Sequence, residues 1–388
     1  MDPVVVISGG GIIGNYISSR LDLNSIQSIV VEKEIRNIDY KQNIRTLTLN
    51  SFSKKLLDEL NIEIKCAEIK KMKVFDGEGS GKINFSSDQI QEGDLSYVVF
   101  FNDLQKKLQE IENERTVYET YIKDIKDIKE NDSDNFCEVL LSNNKTLNAM
   151  VVAGCDGRNS NVAKIAKLNE IKTNYNQTAI TFTANAKLDD NHTAIQIFSD
   201  KGIFAIMPCP SDKNGPTHTI VWSVNNDLLD KYEVNQFLKD YLGYFEKKLE
   251  TKITIHSEVL SFKLSSHSFK SYVAGRKVLI GDAAHSIHPL AGQGINLGFA
   301  DADAFCEEII TEYERSANVN YKKMLKRYEV RRKTFNELML RSMQMFVDIF
   351  KSENLYMRLL RNIGLSSVNE TSFLKRFFIN HASGKNKI

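Results

Sequence analysis

The chain has 388 residues, of which 42% are hydrophobic and only 5 are proline, enough apolar material for two or three structural units and too much for wholesale disorder. Its formal net charge of +1 is unevenly placed: residues 321–388 carry fifteen Lys or Arg against five Asp or Glu, a net of +10, which leaves about −9 for the rest. No run of eighteen apolar residues occurs and the first residues lack the basic and apolar regions of a signal peptide, so a spanning helix and secretion are not expected. The five cysteines, Cys66, Cys137, Cys155, Cys209 and Cys306, stand singly, the pattern of reduced thiols in a cytosolic compartment.

The first predicted element is a strand, Val4-Val5-Val6-Ile7-Ser8, β-branched and apolar from Val4 to Ile7, the kind of run that forms a strand buried on both faces. Gly9-Gly10-Gly11-Ile12-Ile13-Gly14 follows, and then helical spacing through Tyr16, Ile17 and Leu21. The glycines have separate tasks: Gly9 permits a tight turn, Gly11 lets a pyrophosphate approach the backbone, and Gly14 allows helix to pack on strand. Phosphates then meet the free amides of the helix start. A second strand, Ser28-Ile29-Val30-Val31, ends at Glu32, whose carboxylate suits ribose hydroxyls and repels a 2′-phosphate. The expectation at this point is an unphosphorylated dinucleotide, FAD or NAD.

Further along, Met150-Val151-Val152-Ala153-Gly154 reads as a buried strand leading into Cys155-Asp156-Gly157-Arg158-Asn159-Ser160, with Cys155 read as a small residue packed at the strand end. Between about 173 and 270 apolar and polar residues alternate, as in Ala194-Ile195-Gln196-Ile197-Phe198 and His218-Thr219-Ile220-Val221-Trp222, which predicts an antiparallel sheet. Lys277-Val278-Leu279-Ile280 is a strand running into Gly281-Asp282-Ala283-Ala284-His285, then His288-Pro289 and Gly292-Gln293-Gly294-Ile295-Asn296-Leu297-Gly298. A carboxylate at a strand's carboxyl end, followed by a glycine turn that opens a helix, directs backbone amides and a helix dipole at one point. His285 and His288 lie three apart without a third ligand, so no metal is expected. From about 326 onward the chain reads helical, with Leu338, Met339, Met343, Met345, Phe346, Ile349 and Phe350 set among basic residues.

Taken together these segments resemble a class A flavoprotein monooxygenase, and within that class the ubiquinone-biosynthesis hydroxylases. The resemblance implies FAD as the dinucleotide, with Gly9, Gly11, Gly14 and Glu32 at its ADP half, Asp156-Gly157 as the Asp-Gly motif, and Gly281-Asp282 as the motif whose aspartate bonds the ribityl chain. The turn with Gly292, Gly294, Ile295 and Asn296 would lie by the flavin ring, where the helix dipole favours the anionic reduced form. Arg45-Thr46-Leu47-Thr48-Leu49 is similar to the arginine-bearing helix near the pyrophosphate. Tyr175-Asn176-Gln177-Thr178-Ala179, Phe204-Ala205-Ile206-Met207-Pro208, Val221-Trp222-Ser223 and Tyr328-Glu329-x-Arg331-Arg332 extend the similarity over nearly the whole chain. One departure is Ser160-Asn161-Val162-Ala163, where that family carries Ser-x-Val-Arg.

The implied fold is α/β: a Rossmann-type FAD-binding domain of the para-hydroxybenzoate-hydroxylase kind from residues 1–70, 101–172 and 271–325, an interleaved, mostly antiparallel substrate domain from 71–100 and 173–270, and a C-terminal helical segment, 326–388. In that class reduced flavin reacts with O2 to a C4a-hydroperoxide that hydroxylates an electron-rich ring, here a polyprenylated phenol. His285 and Pro289 are the only catalytic candidates, since the cofactor performs the hard chemistry. Electrons would come from NAD(P)H or a ferredoxin-type protein. The basic tail suits a membrane surface and the charge pattern no nucleic acid, so a cytoplasmic protein at the inner face of the cell membrane, beside other ubiquinone-biosynthesis proteins, is expected. The alternatives are a reductase or epoxidase of an isoprenoid lipid, and an inactive flavin-binding scaffold subunit.

Overall fold

The structure, a computed structural model, describes residues 4–36, 44–77, 79, 81–89, 93–111, 115–128, 136–212, 215–287, 293–315 and 319–351. The opening apolar run forms the strand Val5–Ser8 at the centre of a six-stranded sheet, where Val5, Val6 and Ile7 are fully buried. Ser28–Val31 and Val151–Gly154 flank it in parallel, Thr116–Val117 and Lys277–Leu279 lie outside them, and only Val273–Ala274 at one edge runs antiparallel. A strand hydrogen-bonded on both sides and covered on both faces favours apolar side chains in both directions, which is why the middle of these segments lacks alternation.

The helix Ile12–Asp22 follows the first strand directly and buries Tyr16, Ile17 and Leu21. The helix Gln293–Arg315 packs against it, with the Tyr16 and Phe299 rings edge to face at 5.3 Å. Arg45 does not start a helix. Thr46–Leu49 is a strand, antiparallel to Ser96–Phe100, which in turn pairs with Ala67–Ile69. The physical reason is the Thr-Leu-Thr-Leu alternation, which has the period of a strand and two β-branched residues. The helix begins only at Ser51, after Asn50 accepts the Ser53 amide at 2.8 Å as its cap.

The predicted insert forms a nine-stranded sheet, antiparallel at every junction except Thr193–Ser199 with Lys71–Asp76. One face carries Phe204 and Trp222 and is covered by the helix Val234–Leu249, whose Phe245 stacks on Phe204 at 4.2 Å. The opposite face, one residue out of phase on every strand, looks toward the glycine turns. Ser96–Phe100, grouped with the insert in the sequence, is the strand that pairs with Thr46–Leu49.

The long helix Tyr321–Lys351 is fixed to the parallel sheet at its start: buried Tyr328 donates its hydroxyl to the Leu279 carbonyl at 2.9 Å. Farther along, Met343 packs on the cluster formed by Val74, Phe198, Ile203 and Leu264 of the nine-stranded sheet. Its outer face exposes Val330, Leu338 and Met345. Residues 352–388 of the basic tail lie outside the described residues. Among the described residues no helix is long and apolar enough to cross a membrane.

Candidate functional site

The glycine turn is tightly determined. Gly9 has φ +103°, and a Cβ there would lie 2.5 Å from the Cys155 carbonyl oxygen; a Cβ on Gly14 would lie 1.9 Å from the Gly9 oxygen. Neither position admits a side chain, because strand, turn and helix are already in contact. Gly11 is different: a Cβ there meets no atom within 4 Å, so the space before it is open to a ligand. Two buried amides hold the turn from behind, Asn15 Nδ2 and Gln105 Nε2 donating to the Gly10 carbonyl at 2.9 and 2.8 Å. Glu32, at the end of the second strand, accepts the Gly10 amide at 2.6 Å and the Glu34 amide at 2.8 Å. Its carboxylate is therefore already placed beside the turn, where an adenosine ribose would meet it.

Asp156 follows the third parallel strand. Its Oδ2 accepts the amides of Asn161 and Val162 and the Ser8 hydroxyl, which caps the short helix Asn161–Ile165, while Oδ1 is buried without a partner among the described residues. Gly157 has φ +72° and opens onto free space. Arg158 crosses to the other sheet and donates to the carbonyl and hydroxyl of Ser265.

Gly281-Asp282 ends the fourth strand. Gly281 has φ +61°, a left-handed conformation that glycine takes without strain, and it turns the chain so that Asp282 lines the cavity. The Asp282 side chain is accessible from the cavity, yet the surrounding protein removes enough water to push its pKa up, while His285, Arg45 and Arg158 oppose the rise. Arg45 faces it across the same space, its guanidinium 4.7 Å from the Phe101 ring centre; burial lowers its pKa and Asp282 opposes that.

Several positions do not point where their motif suggested. The His285 ring turns away from the cavity and meets the buried carboxylate of Asp301 at 2.6 Å. Asp301 also takes the Gly281 amide at 3.2 Å, Arg332 Nε at 2.7 Å and Asn336 Nδ2 at 3.0 Å. Burial alone would raise the Asp301 carboxyl, but His285 and Arg332 together with these hydrogen bonds outweigh it and hold it well below the ordinary range. Asn296 spends its side chain on the Thr48 carbonyl and the Asn50 amide, at 2.8 and 2.9 Å, and so ties the second glycine helix to the Thr46–Leu49 strand. His288, Pro289 and Gly292 lie outside the described residues. No group of three or more metal-ligating side chains occurs among the described residues.

A cavity of about 820 Å³ joins these parts. At one end it is lined by Gly9, Gly11, Glu32, Asp156, Gly294 and Asp282; at the other by the inner face of the nine-stranded sheet, including Ala194, Gln196, Ala205, Met207 and Val221. The starts of both glycine helices face it. No side chain caps the first helix, and a Cβ on Gly294, like one on Gly11, would meet nothing within 4 Å. At the first helix an uncapped start, a dipole of the right sign and unfilled space form an anion site, Gly294 at the start of the second borders the same open space, and the residues present fit FAD.

Residues 2–343 match the FAD binding domain family. Among similar proteins, the chain is 26% identical over 455 residues to the mitochondrial ubiquinone biosynthesis monooxygenase COQ6 of Dictyostelium discoideum, covering 98% of this chain and 91% of that one. It is 25% identical to the 3-demethoxyubiquinol 3-hydroxylase of Escherichia coli K12, covering 98% of both. With the ubiquinone hydroxylase UbiL of Rhodospirillum rubrum the identity is 31%, over 64% of this chain and 57% of the relative. Among solved structures, p-nitrophenol 4-monooxygenase PnpA of Pseudomonas putida DLL-E4 superposes with a TM-score of 0.76 at 18% identity, covering 98% and 97% of the two chains. A point variant of Klebsiella pneumoniae HpxO complexed with FAD gives 0.75 at 15%, covering 98% of both. The chain belongs to the FAD binding domain family and is an FAD-dependent monooxygenase of class A.

Proposed function

We propose that this monooxygenase hydroxylates the aromatic ring of a polyprenylated phenol in ubiquinone biosynthesis. The observation that carries this reading is the continuity of the cavity, polar and glycine-lined at one end and apolar at the sheet. A dinucleotide held at the polar end would share the cavity with a wall of Ala194, Ala205, Met207 and Val221, which suits a hydrophobic ring and excludes water. FAD, when bound, supplies the activation of O2. Gly11 and Gly294 offer the backbone amides, Glu32 takes the ribose hydroxyls, and Asp282 holds the polar chain between nucleotide and ring. The names of the relatives support the same substrate class.

The electron donor in this reading is NAD(P)H or a ferredoxin-type protein, reaching the flavin transiently, since one dinucleotide site accounts for the glycine motifs. Arg327, Arg331 and Arg332 are paired with Glu308, Glu312, Glu307 and Asp301, and the remaining Lys and Arg of residues 321–388 draw the protein to anionic headgroups, each nearby one contributing about 1 kcal/mol. A peripheral position on the inner face of the cell membrane gives access to a substrate that resides in the bilayer.

The reading is tested by supplying FAD-loaded protein with NADH, NADPH or reduced ferredoxin and a panel of prenylated phenols, then analysing products. Ring-hydroxylated product from at least one phenol is expected. Flavin reoxidation without product across the panel would favour a reductase or epoxidase, and unchanged product in cells carrying Asp282→Ala would favour a scaffold.

A further inference from the structure

The inner face of the nine-stranded sheet is a grid fixed by strand register. In one row Val74, Gln196, Ala205, Val221 and Thr181 stand side by side, through the pairs Gln196 with Val74, Gln196 with Ala205, Ala205 with Val221, and Val221 with Thr181. The neighbouring rows bring Ala194 and Met207 on one side, and Phe198, Ile203 and Ser223 on the other. No Lys or Arg stands among them. Thr181 spends its hydroxyl on the Ile220 carbonyl.

Gln196 is the exception in this apolar field. It is 8% exposed, it lines the cavity, and its amide makes no hydrogen bond to any described residue. Its amide opens onto the cavity and is not sealed inside the sheet, so its partner must come from what occupies that space. Ala194 and Ala205 beside it are small and line the same cavity. Such an arrangement keeps a polar group available to something that enters the cavity.

We propose that Gln196 orients the aromatic substrate by pairing its amide with an uncharged oxygen on the ring. Its carbonyl accepts a phenolic O–H, and its N–H donates to an oxygen on the adjoining ring carbon. Arg45, Arg158 and Lys263 line the cavity elsewhere, but no Lys or Arg stands in the row of Gln196 or the rows beside it, so a neutral amide there pairs with a neutral phenol or phenol ether and offers a ring carboxylate no counter-charge at that point. The contact fixes the rotation of the ring in its plane, and hence which carbon faces the flavin. The inference rests on the aromatic-hydroxylase reading above and names the residue that selects within it.

The test is a titration of FAD-loaded protein, followed by flavin absorbance, with a prenylated phenol, its deoxy analogue and the corresponding prenylated hydroxybenzoate, together with product analysis. Wild type is expected to prefer the phenol over the deoxy analogue by roughly tenfold or more, and to bind the acid no better than the phenol. Gln196→Met is expected to reduce that preference below about threefold and to scatter the ring position of the product, with FAD affinity and thermal midpoint preserved. Gln196→Asn, which shortens the amide by one methylene, is expected to lose the preference in the same way and serves if the first variant does not fold. An unchanged preference and a single product in either folded variant overturns the proposal, as does tighter binding of the acid. If wild type binds none of the three, the hydroxylase reading itself fails; binding of all three without discrimination fails Gln196 alone.

Discussion

His285 Nε2 lies 2.6 Å from Asp301 Oδ2, and both side chains are at most 2% exposed. The pair fastens the loop that carries Gly281 and Asp282 to the helix Gln293–Arg315, and through Arg332 and Asn336 to the helix that leads into the basic tail. Removing one member of a buried, hydrogen-bonded charge cluster leaves the others uncompensated, at a cost of about 3–5 kcal/mol. Asp301→Ala is therefore expected to lower the stability of the protein by that order in denaturant unfolding. Asp301→Asn keeps part of the hydrogen bonding and is expected to lose less. Weaker FAD retention should accompany both, because Gly281 loses its anchor; a variant with wild-type stability would show that the cluster holds nothing.

Gly11 and Gly14 belong to the same turn but should respond oppositely to the same methyl group. Gly14→Ala places a Cβ 1.9 Å from the Gly9 carbonyl and must displace the helix, so it is expected to destabilise the apo fold. Gly11→Ala enters open space and is expected to change apo stability by no more than about 1 kcal/mol while weakening FAD binding strongly. Thermal unfolding with and without FAD separates the two effects.

Acid should destabilise the fold through two buried histidines. Burial pushes His218 down to about 4; His267 falls to about 4 as well, by burial and then by Arg158. The unfolded chain binds these protons near pH 6.5 and the folded one does not until near pH 4. Their stabilising effect is thus complete above pH 6.5 and is lost as pH falls toward 4, on the order of 3 kcal/mol for each residue. Across this window burial also raises the Asp303 carboxyl to about 6, which opposes the two histidines by up to one proton, so the net rise of unfolding free energy with pH is smaller than two protons, and His218→Asn should lower the slope by about one.

The glycine turns and strand ends that line the cavity were legible in the sequence because their signals are local. Gly9, Gly11, Gly14 and Glu32 fall within one strand-turn-helix-strand unit, and Gly281-Asp282 marks the end of another strand. The Asp301 cluster was not legible: its members are brought together by helix packing from positions 16, 31 and 35 residues apart. Gln196 was hidden for a different reason. On an alternating strand a polar residue reads as the solvent face, and only the pairing of five strands shows that this face is roofed by the nucleotide domain. Thr46–Leu49 was read as a helix by its likeness to a motif, although its own two-residue period was that of a strand.

The basic tail makes a separate expectation. Full-length protein should sediment with vesicles containing anionic lipid, less so as salt rises, since attraction between exposed charges is screened within about 10 Å at 0.1 M ionic strength. A chain ending after Lys351 should lose a large part of that binding while retaining FAD. Equal binding to neutral vesicles, or no effect of truncation, would remove the tail from the membrane reading.

The most direct test of the central claim is a single turnover with isotopically labelled O2. FAD-loaded protein is reduced chemically without air, which removes the question of the natural donor, and is then mixed with labelled O2 and a prenylated phenol. The expected result is a new ring hydroxyl carrying one atom of the label. Reoxidation of the flavin with the label only in peroxide or water, and none in the phenol across the panel, would contradict it.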